Sequence, residues 1–291
     1  MKIKKEYLFV FVVIAVLATA SFGLAKPNFN KEKPFQLPEK AVEVAPNIFY
    51  LGEAFDNGKK VQGFAIINKK KDFGKPGTEC GNGICEPGEN AKNCPADCGS
   101  SNGGSGGDSS CYAVYAKGAI WKTTEPYLLD TTNNDGMNDS FVYNVIATSL
   151  ETWDNEVSFD IFGTRTIGII DGIDEIQPDG KNEVYFGDIS YEGAIAVTIV
   201  WGIFGGPPKN RELVEWDQLY DHTDFDFGNA DENPSIMDLQ NIATHEDGHS
   251  LGLGHPSDTC TEETMYRFAD YGETKKRTLN TGDIAGVNYL Y

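Results

Sequence analysis

Apolar residues recur along this chain with two different periods, and the switch between them marks out the elements. Val142, Val145, Ile146, Leu150, Trp153 and Val157 follow the i, i+3, i+4 spacing, which places them on one face of an α-helix. Asp139 or Ser140 caps its first turn. Residues 159–162, 166–170, 183–186, 194–201 and 213–220 then form runs rich in β-branched and aromatic residues, which predict strands. A further helix enters at Ser235 or Asp238, and a last one begins near Thr281. Helix, strands, helix, helix predicts an α+β fold, a twisted mixed β-sheet with about three α-helices packed on it. Upstream, the apolar runs 48–51 and 61–67 flank Asp56-Asn57-Gly58, the pattern of a hairpin.

The ends and joints of this pattern divide the chain. Lys2, Lys4 and Lys5 precede an uncharged apolar stretch over 7–25, so 1–25 reads as an export signal, with an uncleaved membrane anchor as the rival reading. The protein is therefore expected to be secreted and extracellular, or held at the cell surface. Residues 99–110 are almost wholly Gly and Ser, a flexible linker. It separates an N-terminal segment 26–78, a candidate propeptide, and a Cys-rich module 79–98 from a domain over 111–291. A formal charge of −20 argues against nucleic-acid and anionic-membrane partners. Membrane contact is expected only if the N-terminal segment stays uncleaved, and the sequence leaves the oligomeric state open.

Export makes disulfides available to the six cysteines. Cys80, Cys85, Cys94 and Cys98 lie in a segment too short to bury a core, so two internal disulfides are expected to hold it. A zinc knuckle is the alternative, although paired Cys-x-x-Cys hooks are missing. Cys111 and Cys260 remain; either they pair, or one is a free thiol that caps a metal.

Acidic loops bring calcium into view. Asp130, Asn133, Asp135 and Asp139 surround Gly136, and Asp171, Asp174, Glu175, Asp179 and Asn182 form a second oxygen-rich stretch. The same residue types also build ordinary turns. A sharper signal is His245-Glu-Asp-Gly-His249-Ser-Leu-Gly252-Leu-Gly-His255, which fits H-E-x-x-H-x-x-G-x-x-H at every fixed position. On a helix His245 and His249 leave the same face and can grip one Zn²⁺, and Gly252 can take the positive φ that turns the chain back to bring His255 in. Three of the four histidines of the chain stand at this spacing, which makes chance a poor explanation.

This string resembles the zinc motif of the metzincin peptidases, and within them the matrixin branch. Met265, ten residues beyond His255, stands where matrixin-like enzymes carry a methionine turn, and the stretches 238–245, 283–291 and Trp153 also resemble the family. Two departures stand out. Pro256 follows the third histidine where matrixins usually have serine, and Arg267 occupies the place of the tyrosine ligand of serralysins and astacins, which leaves Tyr266 structural. Only His222 remains for a second, structural zinc, so that site cannot be built. Nothing resembles the Pro-Arg-Cys switch of matrixin zymogens.

The resemblance implies a zincin-type fold and a secreted zinc endopeptidase acting on protein or peptide substrates. Zinc on three imidazoles would lower the pKa of its water toward about 7, with Glu246 as general base and then general acid. Met265 would floor the metal without ligating it. Substrate would lie extended along an edge strand over 194–201, with residues 256–263 shaping the leaving-group side. The competing reading is an exported binding or adhesion module with a structural, non-catalytic zinc, against which Glu246 and an open fourth position argue.

Overall fold

Ala194–Ile203 has one polar side chain, Thr198, in ten residues, a composition expected of a strand covered on both faces. In the computed structural model, which describes residues 33–71, 108–170 and 172–291, this strand lies inside a nine-stranded mixed sheet. In chain order the strands are β1 Val42–Ala45, β2 Ile48–Asp56, β3 Lys59–Lys70, β4 Ala113–Val114, β5 Glu125–Leu129, β6 Phe162–Ile167, β7 Asn182–Gly187, β8 Ala194–Ile203, β9 Glu212–Asp221, β10 Phe227–Gly228, β11 Met237–Asp238, β12 Leu253–Gly254 and β13 Phe268–Ala269. The helices among the described residues are α1 Asp139–Asp154, α2 Leu239–Ser250 and α3 Thr281–Leu290. The large sheet runs β1-β2-β3-β8-β9-β7-β5-β6, antiparallel as far as β9 and parallel beyond it, with β13 parallel to the end of β3. The α+β architecture with three helices is the one the sequence predicts. Residues 1–25, Cys80, Cys85, Cys94, Cys98, most of the Gly/Ser linker and Asp171 lie outside the described residues.

Strand alternation gives the sheet two faces. Val200, Trp216 and Tyr220 meet Ile146 and Trp153 of α1 and Ile242 of α2 in one core. Val197, Ile199, Trp201 and Leu219 point the other way and pack with Phe35, Leu51, Val61 and Ile67 in a second. Leu51, Val61, Ile66 and Ile67, all from β2 and β3, are fully buried; each such side chain contributes about 1.5–3 kcal/mol over leaving it exposed. Asn57 and Gly58 both have positive φ, 46° and 78°, as the two-residue turn between these strands requires.

The structure corrects several expectations. The strand over 194–201 is not an edge: β3 lies antiparallel along it from Gln62 opposite Gly202 to Lys69 opposite Ala194, and β9 takes its other side. The linker therefore does not divide the sheet, because β1–β3 on one side of it join strands on the other. The runs 159–162 and 166–170 resolve into the single strand β6. β5, next to it, is a strand that the apolar pattern missed. α1 ends at Asp154, short of Val157, because the Asp154 carboxylate accepts from the amides of Ile161 and Phe162 and draws the chain toward β6. Its cap is Asn138, whose side chain accepts from the Phe141 amide. Asp238, not Ser235, caps α2, accepting from the Asn241 amide at 2.9 Å.

Candidate metal centre

The four-residue spacing of His245 and His249 on α2 sends both rings off one face. The helix then stops: Gly252 has φ 101°, and an added Cβ would lie 2.8 Å from that of Ala116. β12 follows and delivers His255. Each imidazole is braced through Nδ1 by a backbone carbonyl: His245 by Thr264 at 2.6 Å, His249 by Leu253 at 2.8 Å and His255 by Pro46 at 3.2 Å. A carbonyl can only accept, so Nδ1 carries the proton and Nε2 presents a lone pair in all three rings. The three Nε2 atoms converge, with that of His249 3.1 Å from those of His245 and His255. Burial holds all three imidazoles below their usual basicity, His249 to about 3, which keeps them neutral.

Three unprotonated nitrogens facing one another at this distance repel unless a cation lies among them. The fit to zinc is good: a tetrahedral ion with bonds of 2.0–2.1 Å sets ligand nitrogens about 3.3 Å apart.

Glu246 is fully buried beside them. Its Oε2 accepts from the Thr198 hydroxyl at 2.6 Å, and Oε1 has no partner. Burial raises its pKa to about 7, opposed by Thr198 and by Asn68 of β3. Sequence reasoning missed Thr198, although a lone hydroxyl in an apolar strand was a signal in plain view.

Met265 packs against α2 at Gly248, where a Cβ would collide with its Sδ and with the Trp153 ring. Trp153 Nε1 donates to the Thr244 carbonyl at 2.7 Å. Asp283, in the first turn of α3, accepts from the amides of Thr264 at 2.7 Å and Met265 at 3.0 Å, and so fixes the carbonyl that braces His245. Lys276 is fully buried and donates to the Tyr266 and Phe268 carbonyls; burial lowers its pKa to about 8. Cys111 and Cys260 form a disulfide with a Cα separation of 5.7 Å, so neither is a thiol that caps the metal. His222 sits away from the three histidines, its Nδ1 accepting from the Asn134 amide.

The first acidic loop does not gather into a cation cage. Asp130 accepts from the amides of Thr132 and Ile170, Asn133 from those of Asp135 and Met137, and Asp139 from the Thr131 hydroxyl. Asp135 is left with one buried oxygen lacking a partner, and burial raises its pKa to about 6. In the second stretch Asp179 accepts from Lys181, and Asn182 bonds the backbone of Pro126 and Trp216. Asp174 instead meets Glu215 and Asp217 of β9, with oxygens of all three within 4.8 Å of one another. Asp217 is fully buried, and neither of its oxygens has a close hydrogen-bond partner. Burial pushes its carboxyl well above the ordinary range and that of Glu215 to about 8.

Comparison with known proteins bears on the C-terminal part of the chain. A sequence model of the matrixin family matches residues 208–291. Metalloendoproteinase 2-MMP of Arabidopsis thaliana is 44% identical over 57 residues, 20% of this chain and 14% of that protein. Metalloendoproteinase 4-MMP of Arabidopsis thaliana is 42% identical over 69 residues, 23% of this chain and 18% of that protein. Matrilysin of Rattus norvegicus is 39% identical over 70 residues, 24% of this chain and 26% of that protein. The chain thus spans between 14% and 26% of the length of these relatives. This C-terminal segment, which carries the three histidines, Glu246 and Met265, is matrixin-like.

Proposed function

We propose that this chain is an exported zinc-dependent endopeptidase that hydrolyses peptide bonds in protein or peptide substrates. The observation that carries the reading is the convergence of three neutral Nε2 atoms, each braced from behind, next to a buried carboxylate with one oxygen free. His245, His249 and His255 would hold the zinc. When bound, it would supply Lewis acidity toward a scissile carbonyl and toward water. Glu246 is poised for proton transfer: Thr198 fixes one oxygen, and the other is available to take a proton and later give it to the leaving amine. Met265 and Trp153 keep α2 in place from below, and Asp283 keeps the Thr264 carbonyl aimed at His245. The matrixin-like sequence over 208–291 and the similarity to three metalloendopeptidases support the same reaction class.

Export rests on the lysines and apolar stretch of 1–25; no described helix is long and apolar enough to cross a membrane. We also infer a calcium requirement at Asp174, Glu215 and Asp217, where a cation would neutralise carboxylates crowded within 4.8 Å of one another, Asp217 fully buried among them.

The test is casein hydrolysis by zinc-loaded protein after N-terminal processing. Hydrolysis is expected, with loss on chelation and in Glu246→Ala. Processed wild type that binds zinc stoichiometrically and still leaves casein intact would sink the peptidase reading and leave the exported binding module.

A further inference from the structure

The segment 265–278 carries four cations, and three of them hold carboxylates: Arg267 meets Asp258, Lys275 meets Glu262, and Arg277 meets Asp231 and Asp238. Lys276 is the exception. It is fully buried, and no ion pair among the described residues includes it. A lysine is seldom buried without a counter-charge, because taking an ammonium out of water is costly. Two of its three N–H donors go to the Tyr266 and Phe268 carbonyls, which offer dipoles and no charge, and the third has no acceptor among the described residues. Its place is beside the metal centre. The Lys276 amide donates to Oδ1 of Asn241 at 2.8 Å, and Asn241 stands one turn before His245 on the same face of α2. The Thr264 carbonyl, two residues before Tyr266, braces His245 itself. The charge of Lys276 accordingly reaches Glu246 and all three imidazoles, whereas Glu246 and Glu273 act on it only from a distance.

We propose that Lys276 sets the substrate class: its unspent N–H receives the carboxylate of an aspartate or glutamate side chain immediately after the scissile bond, so the enzyme cuts before acidic residues. The inference rests on the peptidase reading above and names the substrate of that same site. The side follows from the route of the proton. Glu246 delivers it to the leaving amine, which is the nitrogen of the residue after the cut, so a cation placed near Glu246 meets the side chain of that residue first. The flexible four-carbon stem of Lys276 lets the ammonium turn its third donor toward a ligand. The net charge of −20 does not oppose this. At physiological salt, exposed charges more than about 8 Å away are largely screened, and the buried cation decides. Glutamine has the shape of glutamate without its charge, so the preference for one over the other isolates the ammonium. A hydrogen bond between charged groups in a dry site corresponds to about a tenfold to hundredfold preference.

The experiment uses the full chain, zinc-loaded and N-terminally processed as for the casein test. Peptides that differ only in the residue after the scissile bond, Glu, Gln, Leu or Lys, are compared by kcat/KM, and mass spectrometry locates the cut. Peptide hydroxamates carrying a Glu or a Gln side chain at the same place are compared by calorimetry, which reads binding without turnover. Glu should exceed Gln by about tenfold to a hundredfold in both measurements. In Lys276→Met, which keeps the apolar stem, that preference should vanish, and in Lys276→Arg it should persist. Zinc stoichiometry and melting temperature establish that each variant is folded, and Lys276→Gln, which keeps a donor for the two carbonyls, replaces the methionine variant if that one does not fold. Wild type that cuts before Gln or Leu as readily as before Glu would overturn the acidic preference and leave the peptidase reading intact. A folded Lys276→Met that still favours Glu would overturn the role of Lys276. Zinc-bound protein that cuts no peptide, yet binds the Glu hydroxamate more tightly than the Gln one, would overturn the peptidase reading alone. Absence of both cutting and preference would overturn the two together.

Discussion

Asp283 shows how a residue far from the metal can govern a ligand. It is fully buried, and its two oxygens accept from the amides of Thr264, Met265 and Asn280. Alanine at 283 leaves those three donors without an acceptor, at about 1–3 kcal/mol for each that stays dry. Asp283→Ala is therefore expected to lower stability by on the order of 3 kcal/mol or more in urea denaturation. Its zinc affinity should fall as well, because the Thr264 carbonyl that braces His245 loses its anchor. Asparagine at the same position keeps one acceptor oxygen and should lie between. Wild-type zinc affinity in a folded Asp283→Ala protein would show that the brace is dispensable.

Among the elements, α2 depends on how its first turn is fastened. Asp238 caps it through Asn241 and also accepts from Ala230 and from Arg277, whose partly exposed guanidinium donates to both of its oxygens. Asp238→Ala removes cap and ion pair together and is expected to cost about 3 kcal/mol, whereas Asp238→Asn keeps the cap and should cost less than half of that. Equal losses in chemical denaturation would mean that the cap carries little. α1, α2, α3 and β7–β9 were legible because each writes its period or its cap into a contiguous stretch. β5 was not: it is short and contains Pro126, which argues against a strand. The partnership of β3 with β8 was not legible either, since it joins residues more than 120 apart and no local pattern encodes it. A hint was nonetheless present, because an exposed edge seldom carries a sequence as apolar as Ala194–Ile203.

At the level of the whole molecule, buried acid couples stability to pH. Glu215 and Asp217 hold their protons in the folded state at pH values where the unfolded chain has lost them. Without a cation, stability therefore falls as pH rises from the ordinary 4.5 of a glutamate toward about 8. If the proposed calcium binds at Asp174, Glu215 and Asp217 it takes over the work of those protons, and melting temperature should then depend much less on pH in calcium than in calcium-free buffer containing the same zinc. Identical curves would refute a cation at these carboxylates. The metal-centre motif was legible in full, since its spacing is local, but this acidic group unites a loop with β9, and of the residues read as calcium ligands only Asp174 belongs to it. The brace on His255 has a consequence of its own. Two imidazoles lean on carbonyls from the C-terminal part of the chain, but the third leans on Pro46. A chain cut back to residues 108–291 would give up that support, the ring of His255 would be freer to swing, and zinc should pass from it to a chromogenic chelator faster than from the full chain.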